Sequence, residues 1–156
     1  MNNDVNNADM TTQLNEALEL LHFAFRAIVL EPDAILAKEK MGRAHHRILF
    51  MLGRRGPVST TELVRILGVT RQSLNRPLRE LVEKGFVVSR TSPDYWRMTL
   101  HSLTRKGAAL EDKLSGLQRM QFKAAFAEVG EAGEAHWRDV MRSIGGALRA
   151  GSALNE

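Results

Sequence analysis

Apolar residues recur at four- and three-residue intervals along the first third of the chain. Leu14, Leu18, Leu21, Phe25 and Ile28 form one seam, which predicts a helix from Thr12 to about Leu30. Residues 1–10 are polar and Asn-rich and read as a disordered N-terminus. Pro32 is expected to break the helix. A second helix is predicted from about Lys40 to Arg55, with Ala44, Ile48, Met51 and Leu52 on one face and Gly56-Pro57 as its stop.

The next stretch carries the strongest local signals. Ser59-Thr60-Thr61-Glu62 is a capping box, in which Ser59 accepts from the amide of Glu62 and the Glu62 side chain reaches back. A short helix follows with Leu63, Ile66 and Leu67 inward, and Gly68 ends it in a left-handed conformation. Thr70 then caps a helix that runs to about Lys84 and closes at Gly85. Two short helices joined by a tight, glycine-containing turn make a helix-turn-helix. Beyond Gly85 the period shortens: Phe86-Val87-Val88 and Met98-Thr99-Leu100 are β-prone runs around a turn-rich segment, and predict a hairpin with a basic tip. Thr104 caps a long helix to about Glu128, with Leu110, Leu114 and Leu117 on one face. Gly130 and Gly133 punctuate before a last helix, about Glu134 to Arg149, striped by Trp137, Val140, Met141, Ile144 and Leu148. The fold class expected is mainly α with a small β-hairpin wing: a winged helix-turn-helix flanked by terminal helices.

On a wheel at about 100° per residue, Leu74, Leu78, Leu81 and Val82 share one face of the second motif helix and must bury. Gln72, Ser73, Arg76 and Arg79 lie on the other side with Asn75 on the flank, and Arg71 at the helix start is a further candidate for DNA contact. Guanidinium suits guanine bidentately, carboxamides suit adenine, and hydroxyls serve either role. The helix N-terminus, capped by Thr70, attracts phosphate through its free amides and its dipole. Pro77 removes one backbone bond inside this helix; because Leu78, Leu81 and Val82 continue the buried face, a kink is expected rather than an end. In the wing, Arg90, Ser92, Tyr95 and Arg97 are candidates for contact with a minor groove. Ser59, Thr60 and Thr61, at the start of the first motif helix, are further candidates for DNA contact.

Charge sharpens this picture. The net charge is only +4, but from Lys38 to Lys106 fifteen basic residues accompany five acidic ones, while the remainder holds seven basic and thirteen acidic. A basic centre between acidic ends is the electrostatic footprint of a nucleic-acid-binding module on a scaffold. The absence of cysteine excludes disulfides and thiolate chemistry. No segment reads as a secretion signal or a membrane span, so a cytoplasmic location is expected. No Walker loop, Rossmann glycine pattern, His-Glu-x-x-His or nucleophile elbow is present, which argues against an enzyme, a cofactor or a metal site. His45 and His46 are adjacent, point about 100° apart on a helix, and cannot chelate one ion together. The competing reading is a winged-helix protein-interaction module without direct DNA binding, whose mark would be an apolar patch where Arg76 and Arg79 stand.

Four runs taken in order carry a resemblance: Thr61-Glu62-Leu63, Leu67-Gly68-Val69-Thr70-Arg71-Gln72-Ser73-Leu74, Leu81-Val82-Glu83-Lys84-Gly85-Phe86-Val87, and Leu103-Thr104-Arg105-Lys106-Gly107. Over about residues 41–107 the chain resembles the MarR (multiple antibiotic resistance regulator) family of transcriptional regulators. The resemblance implies a ligand-responsive regulator, more often a repressor, acting as a homodimer with each recognition helix in a major groove of operator DNA and each wing in a minor groove. It also implies a small, often aromatic or anionic effector that lowers DNA affinity; His22, Arg26 and His45 are candidates as polar groups on largely apolar helices. Arg97 falls on the wing arginine of the family's Asp-x-Arg signature, whereas Tyr95 stands where its Asp would be. The organisation expected is a disordered 1–10, a dimerisation helix 11–37, a winged DNA-binding domain 38–107 and dimerisation helices 108–156. Independently of the resemblance, the seam through Leu14, Leu18 and Leu21 and the stripe of Trp137, Val140, Met141, Ile144 and Leu148 exceed what a winged domain of this size covers, which points to association through the terminal helices.

Overall fold

A computed structural model describes the backbone of residues 2–92 and 98–153, and the side chains of residues 9–92 and 98–146. The elements run α1 (Asn2–Lys38), α2 (Arg43–Arg55), β1 (Val58–Ser59), α3 (Thr60–Leu67), α4 (Arg71–Glu83), β2 (Val87–Thr91), β3 (Thr99–Leu103) and α5 (Arg105–Ala153). The strands form an antiparallel sheet in the order β1-β3-β2, with Val58 opposite His101 and Val87 opposite Leu103. The chain is therefore mainly helical with a small wing.

Two expectations for α1 are corrected. The helix starts at Asn2 rather than after a disordered stretch 1–10. No glycine or proline occurs before Pro32, and extending an existing helix adds a hydrogen bond for each residue fixed. Nor does Pro32 end the helix, which continues to Lys38. Proline cannot donate to the carbonyl four residues earlier, which is that of Ile28. That carbonyl accepts instead from Gln118 Nε2 of α5 at 3.4 Å. Pro32 itself is fully buried, so packing against the neighbouring helices holds the turn that its backbone weakens.

The core joins all parts of the winged unit. Leu36 and Met41 from the α1–α2 region, Ile48, Leu49 and Leu52 of α2, Leu63 of α3, Leu74, Leu78 and Leu81 of α4, Phe86 and Val87 of the wing, and Leu114 of α5 make one cluster. The last turns of α1 and the first turns of α5 thus belong to the same core as the helix-turn-helix. On α2 the buried face is His45, His46, Ile48, Leu49 and Leu52, whereas Ala44 is exposed. The face turns because Leu49 and Leu52, not Ala44, meet the helices behind. On α4 the buried residues are Leu74, Pro77, Leu78 and Leu81, while Val82 is 37% exposed. Positions at i, i+3, i+4 and i+7 define one stripe, and Val82 falls one step outside it. Pro77 therefore sits in the core-facing stripe of a helix that continues on both sides of it.

The turn between α3 and α4 follows from its residues. Gly68 takes φ 61°, ψ 37°, a left-handed conformation that side chains with a Cβ rarely adopt. Ser59 Oγ accepts from the Glu62 amide at 3.1 Å, but the Glu62 carboxylate engages Arg65 rather than reaching back. In α5 the backbone of Gly130 leaves the helix at φ 71°, ψ −179°. Fifteen residues of straight helix would separate Phe122 from Trp137 by roughly 22 Å. Their ring centroids are 5.1 Å apart, so the two limbs of α5 fold toward each other at Gly130.

Candidate nucleic-acid interface

Helix α4 is anchored through its leucines and turns its polar face outward. Arg71, Gln72, Ser73, Asn75, Arg76 and Arg79 are all exposed. Thr70 caps the helix: its Oγ1 accepts from the Ser73 amide at 3.1 Å, and Ser73 Oγ donates to the Thr70 carbonyl at 2.9 Å. The hydroxyls of Thr70 and Ser73 are thus engaged at the helix start, while Gln72 and Asn75 carry amides beside them. Arg71 Nη2 donates to Thr61 Oγ1 at 3.1 Å and links the starts of α3 and α4. Arg79 lies 3.5 Å from Glu83, with both side chains largely in solvent, so this pair restrains Arg79 little.

Arg76 is held more firmly. Its Nε donates to Glu80 Oε1 at 2.8 Å, and the other carboxylate oxygen of Glu80 lies 2.7 Å from Nε2 of His45 on α2. Nδ1 of His45 accepts from the Gly42 amide at 3.0 Å, which places the ring proton on Nε2 and makes it the donor to Glu80. The Arg76 guanidinium and then the His45 ring hold the Glu80 carboxyl below the usual carboxylate range, and Arg76 is correspondingly raised. Spacing along the sequence could not reveal this bridge, because His45 and Glu80 are 35 residues apart.

A second polar centre sits at the base of the wing. His101 of β3 is buried, with Nε2 at 2.8 Å from Thr60 Oγ1 and Nδ1 at 2.8 Å from Ser89 Oγ. One ring therefore ties the start of α3 to both long strands. Burial pushes the His101 imidazole below its ordinary value, because the charged form is poorly solvated there. Thr60 thus faces the wing base, whereas Thr61 is exposed and Ser59 is engaged in capping.

Arg90 is exposed on β2, as a groove-contacting residue must be. Ser92 is not: it is buried, 7% exposed, and its amide donates to the Met98 carbonyl at 2.8 Å. It closes the hairpin ladder instead of extending the tip. Tyr95 and Arg97 lie outside the described residues.

The effector candidates do not converge. His22 and Arg26 are exposed on α1, and His45 is buried beneath α4. The cleft between α1, α2 and α5 is lined instead by Phe25, Val29, Arg43, His46, Arg47 and Gln118. One step along α2 turns a side chain by about 100°, so His46 faces this cleft and His45 faces the recognition helix. Behind it, Ser115 Oγ donates to Glu111 Oε1 at 2.5 Å and lies 3.5 Å from His46 Nε2. Burial pushes His46 down, against the raising influence of Glu111 and Asp33. A larger cleft of about 970 Å³ lies between α2 and the two limbs of α5, lined by Phe50, Arg54, Phe122, Phe126, Trp137 and Arg138 among others.

Of the expected association residues, Leu14, Leu18 and Leu21 are exposed on α1, and Val140, Ile144 and Trp137 on α5, with Met141 partly covered. The side chain of Leu148 lies outside the described residues. Among the described residues no helix is long and apolar enough to cross a membrane, and no group of three or more His, Asp or Glu side chains could hold a metal ion.

Residues 40–94 match the model of the MarR family. The chain is 40% identical over 132 residues to the HTH-type transcriptional regulator PetP of Rhodobacter capsulatus, a match covering 85% of this chain and 80% of that protein. Among solved structures it is similar to the transcriptional regulator SlyA, with a TM-score of 0.70 and 14% identity over 89% of this chain and 99% of the other. It is also similar to NadR in complex with 4-hydroxyphenylacetate, with a TM-score of 0.66 and 21% identity over 80% and 88% of the two chains. A capped helix-turn-helix with a basic outer face, a three-stranded wing, long flanking helices and this degree of identity lead to one conclusion: the chain belongs to the MarR family of DNA-binding transcriptional regulators and is not an enzyme.

Proposed function

We propose that the chain acts as a homodimeric repressor that binds a pseudo-palindromic operator and leaves it when a small aromatic effector binds. The observation that carries the DNA side is α4: Leu74, Leu78 and Leu81 fix it to the core while Gln72, Asn75, Arg76 and Arg79 project from its free face. Its N-terminus would meet the phosphates, its first turns the base edges, and Arg90 with Arg97 of the wing the adjacent minor groove. The absence of a large apolar patch on that face disfavours a protein-docking role for it.

Dimerisation rests on the exposed apolar side chains of the terminal helices. Every described side chain of α1 from Asp9 to Ala27 is exposed, including Leu14, Leu18, Leu21 and Phe25. A partner helix on this seam would remove it from water, and twofold symmetry would set two recognition helices roughly 34–36 Å apart, one turn of duplex. The effector reading rests on the clefts beside α2, where aromatic rings stand next to arginines, a combination suited to an aromatic anion. NadR, a structural neighbour, is bound to 4-hydroxyphenylacetate.

Fluorescence anisotropy with labelled random-sequence duplex, across a salt series, tests the DNA reading. The expected result is tight binding in dilute buffer that weakens with a log–log slope of about −0.9 per phosphate neutralised. No binding at the lowest salt overturns it. Addition of aromatic carboxylic acids to the complex, with release of duplex expected, tests the effector.

A further inference from the structure

We propose that Glu80 and His45 are positioning residues that set Arg76 to read a guanine, so that base preference at one operator position depends on a chain of hydrogen bonds reaching back to the turn before α2. The inference rests on the DNA-binding reading of α4 and adds to it a specific side-chain role.

The argument begins with directions. The Gly42 amide donates to His45 Nδ1, His45 Nε2–H donates to Glu80 Oε2, and Arg76 Nε–H donates to Glu80 Oε1. Each donor meets an acceptor and both oxygens of Glu80 are occupied. Exposure falls along the chain: the side chain of Arg76 is 81% exposed, that of Glu80 23% and that of His45 10%. The buried end is fixed by packing in the core face of α2, and the free end stands in solvent where α4 would face a groove. Because Nε is taken by Glu80, the guanidinium keeps its two terminal nitrogens free at its far edge. That edge matches O6 and N7 of guanine, which are both acceptors. Arginine otherwise loses considerable rotamer freedom on docking, and a side chain already held in place loses less. Arg79 makes a useful contrast. Its partner Glu83 is itself 64% exposed and nothing on α2 holds it, so Arg79 is suited to a phosphate, whose position it can follow.

Substitution at Glu80 has a defined consequence. A glutamine has one acceptor oxygen where the carboxylate has two, so either Arg76 or His45 faces an amide donor. Flipping the His45 tautomer would satisfy that amide but set Nδ1–H against the Gly42 N–H. Glu80→Gln therefore breaks the chain without changing its shape. His45→Phe fills similar space and removes the donor to Glu80.

The test is selection of bound fragments from a random-sequence duplex library by the full-length wild type, Glu80→Gln, His45→Phe and Arg76→Ala. Anisotropy on the selected duplex and on its single-base variants then gives relative affinities. Wild type is expected to require guanine at one position of each half-site. Glu80→Gln is expected to reduce the preference for guanine there by about three- to tenfold, His45→Phe to act in the same direction, and Arg76→Ala to abolish it. Addition of Glu80→Gln to Arg76→Ala is expected to change that preference no further. Removing a carboxylate raises affinity for every duplex alike, so the ratio between bases, not the affinity, is the readout. A purely structural role for Glu80 would lower the melting temperature and leave base ratios unchanged, and this result overturns the inference. So does a wild type that binds duplex but shows no base preference dependent on Arg76. A wild type that binds no duplex would instead remove the DNA-binding reading itself.

Discussion

Gly107→Ala should destabilise this protein, although the same change inside an ordinary helix stabilises it. Gly107 lies in the first turn of α5, where alanine would normally be favoured by roughly 0.5–1 kcal/mol. Here a Cβ would overlap the carbonyl oxygen of Phe86, and it would stand 2.9 Å from that carbonyl carbon and 3.3 Å from Phe86 Cα. These are backbone atoms and cannot rotate away. The same carbonyl accepts from the Thr104 amide at 3.0 Å and from Thr104 Oγ1 at 3.2 Å, while Thr104 Oγ1 accepts from the Gly107 amide at 3.0 Å. Relieving the overlap means moving the start of the wing away from α5 and stretching these bonds. Overpacking of this kind costs about 1–3 kcal/mol, and contact with backbone places it at the upper end, so a net loss of about 2 kcal/mol remains after the helix preference is subtracted. For a chain of this size that lowers the melting temperature by about 4–8 °C. Thermal unfolding followed by circular dichroism measures the shift, and anisotropy with duplex at a fixed salt should show weaker binding because the wing is displaced. An unchanged or higher melting temperature would refute the reasoning, since propensity would then outweigh the close approach.

Acidification below about pH 6.5 should destabilise the fold. Burial depresses the folded-state values of His46 and His101 below 6.5, so their contribution is complete above 6.5 and is lost as pH falls through the depressed value, where the unfolded chain takes up protons first. Melting temperature against pH measures this, and His101→Gln should flatten the dependence; an identical slope would exclude His101 as a contributor. Leu18→Glu should dissociate the proposed homodimer, whose seam would run along α1. Burying a leucine is worth about 1.5–3 kcal/mol and twofold symmetry counts it twice, so the dissociation constant should rise by about two to four orders of magnitude in sedimentation. Arg97→Ala, and less strongly Arg90→Ala, should weaken binding chiefly to duplexes with narrow A-tract minor grooves; equal loss on all duplexes would assign them to phosphates.

The helix-turn-helix was legible because its signals are local. A cap such as Thr70, a left-handed glycine such as Gly68 and the leucine period of α4 each act within a few residues, so the residues that encode them are also the ones that form them. The same holds for the bend at Gly130. Errors arose where a local rule met a distant partner. Pro32 should end a helix, but Gln118 accepts the role of donor to the freed Ile28 carbonyl. Ser92 reads from the sequence as a wing residue open to DNA, but it is buried and its amide pairs with the Met98 carbonyl. The two-residue strand β1 carries almost no pattern of its own and exists because Val58 pairs with His101.

The amino-acid order alone determined where helices begin and end around the turn, which face of α4 is apolar, and that the basic charge concentrates in the middle of the chain. Those properties depend on neighbours a few residues apart and on net composition. Only the tertiary structure decided which polar groups are held and which are free: that His45 turns toward Arg76 through Glu80 while His46 turns toward a cleft, that His101 joins Thr60 to Ser89, and that Gly107 has no room for a methyl group. Hydrogen bonds and steric overlap act over a few ångströms of space, and the chain must fold before residues tens of positions apart come within that reach.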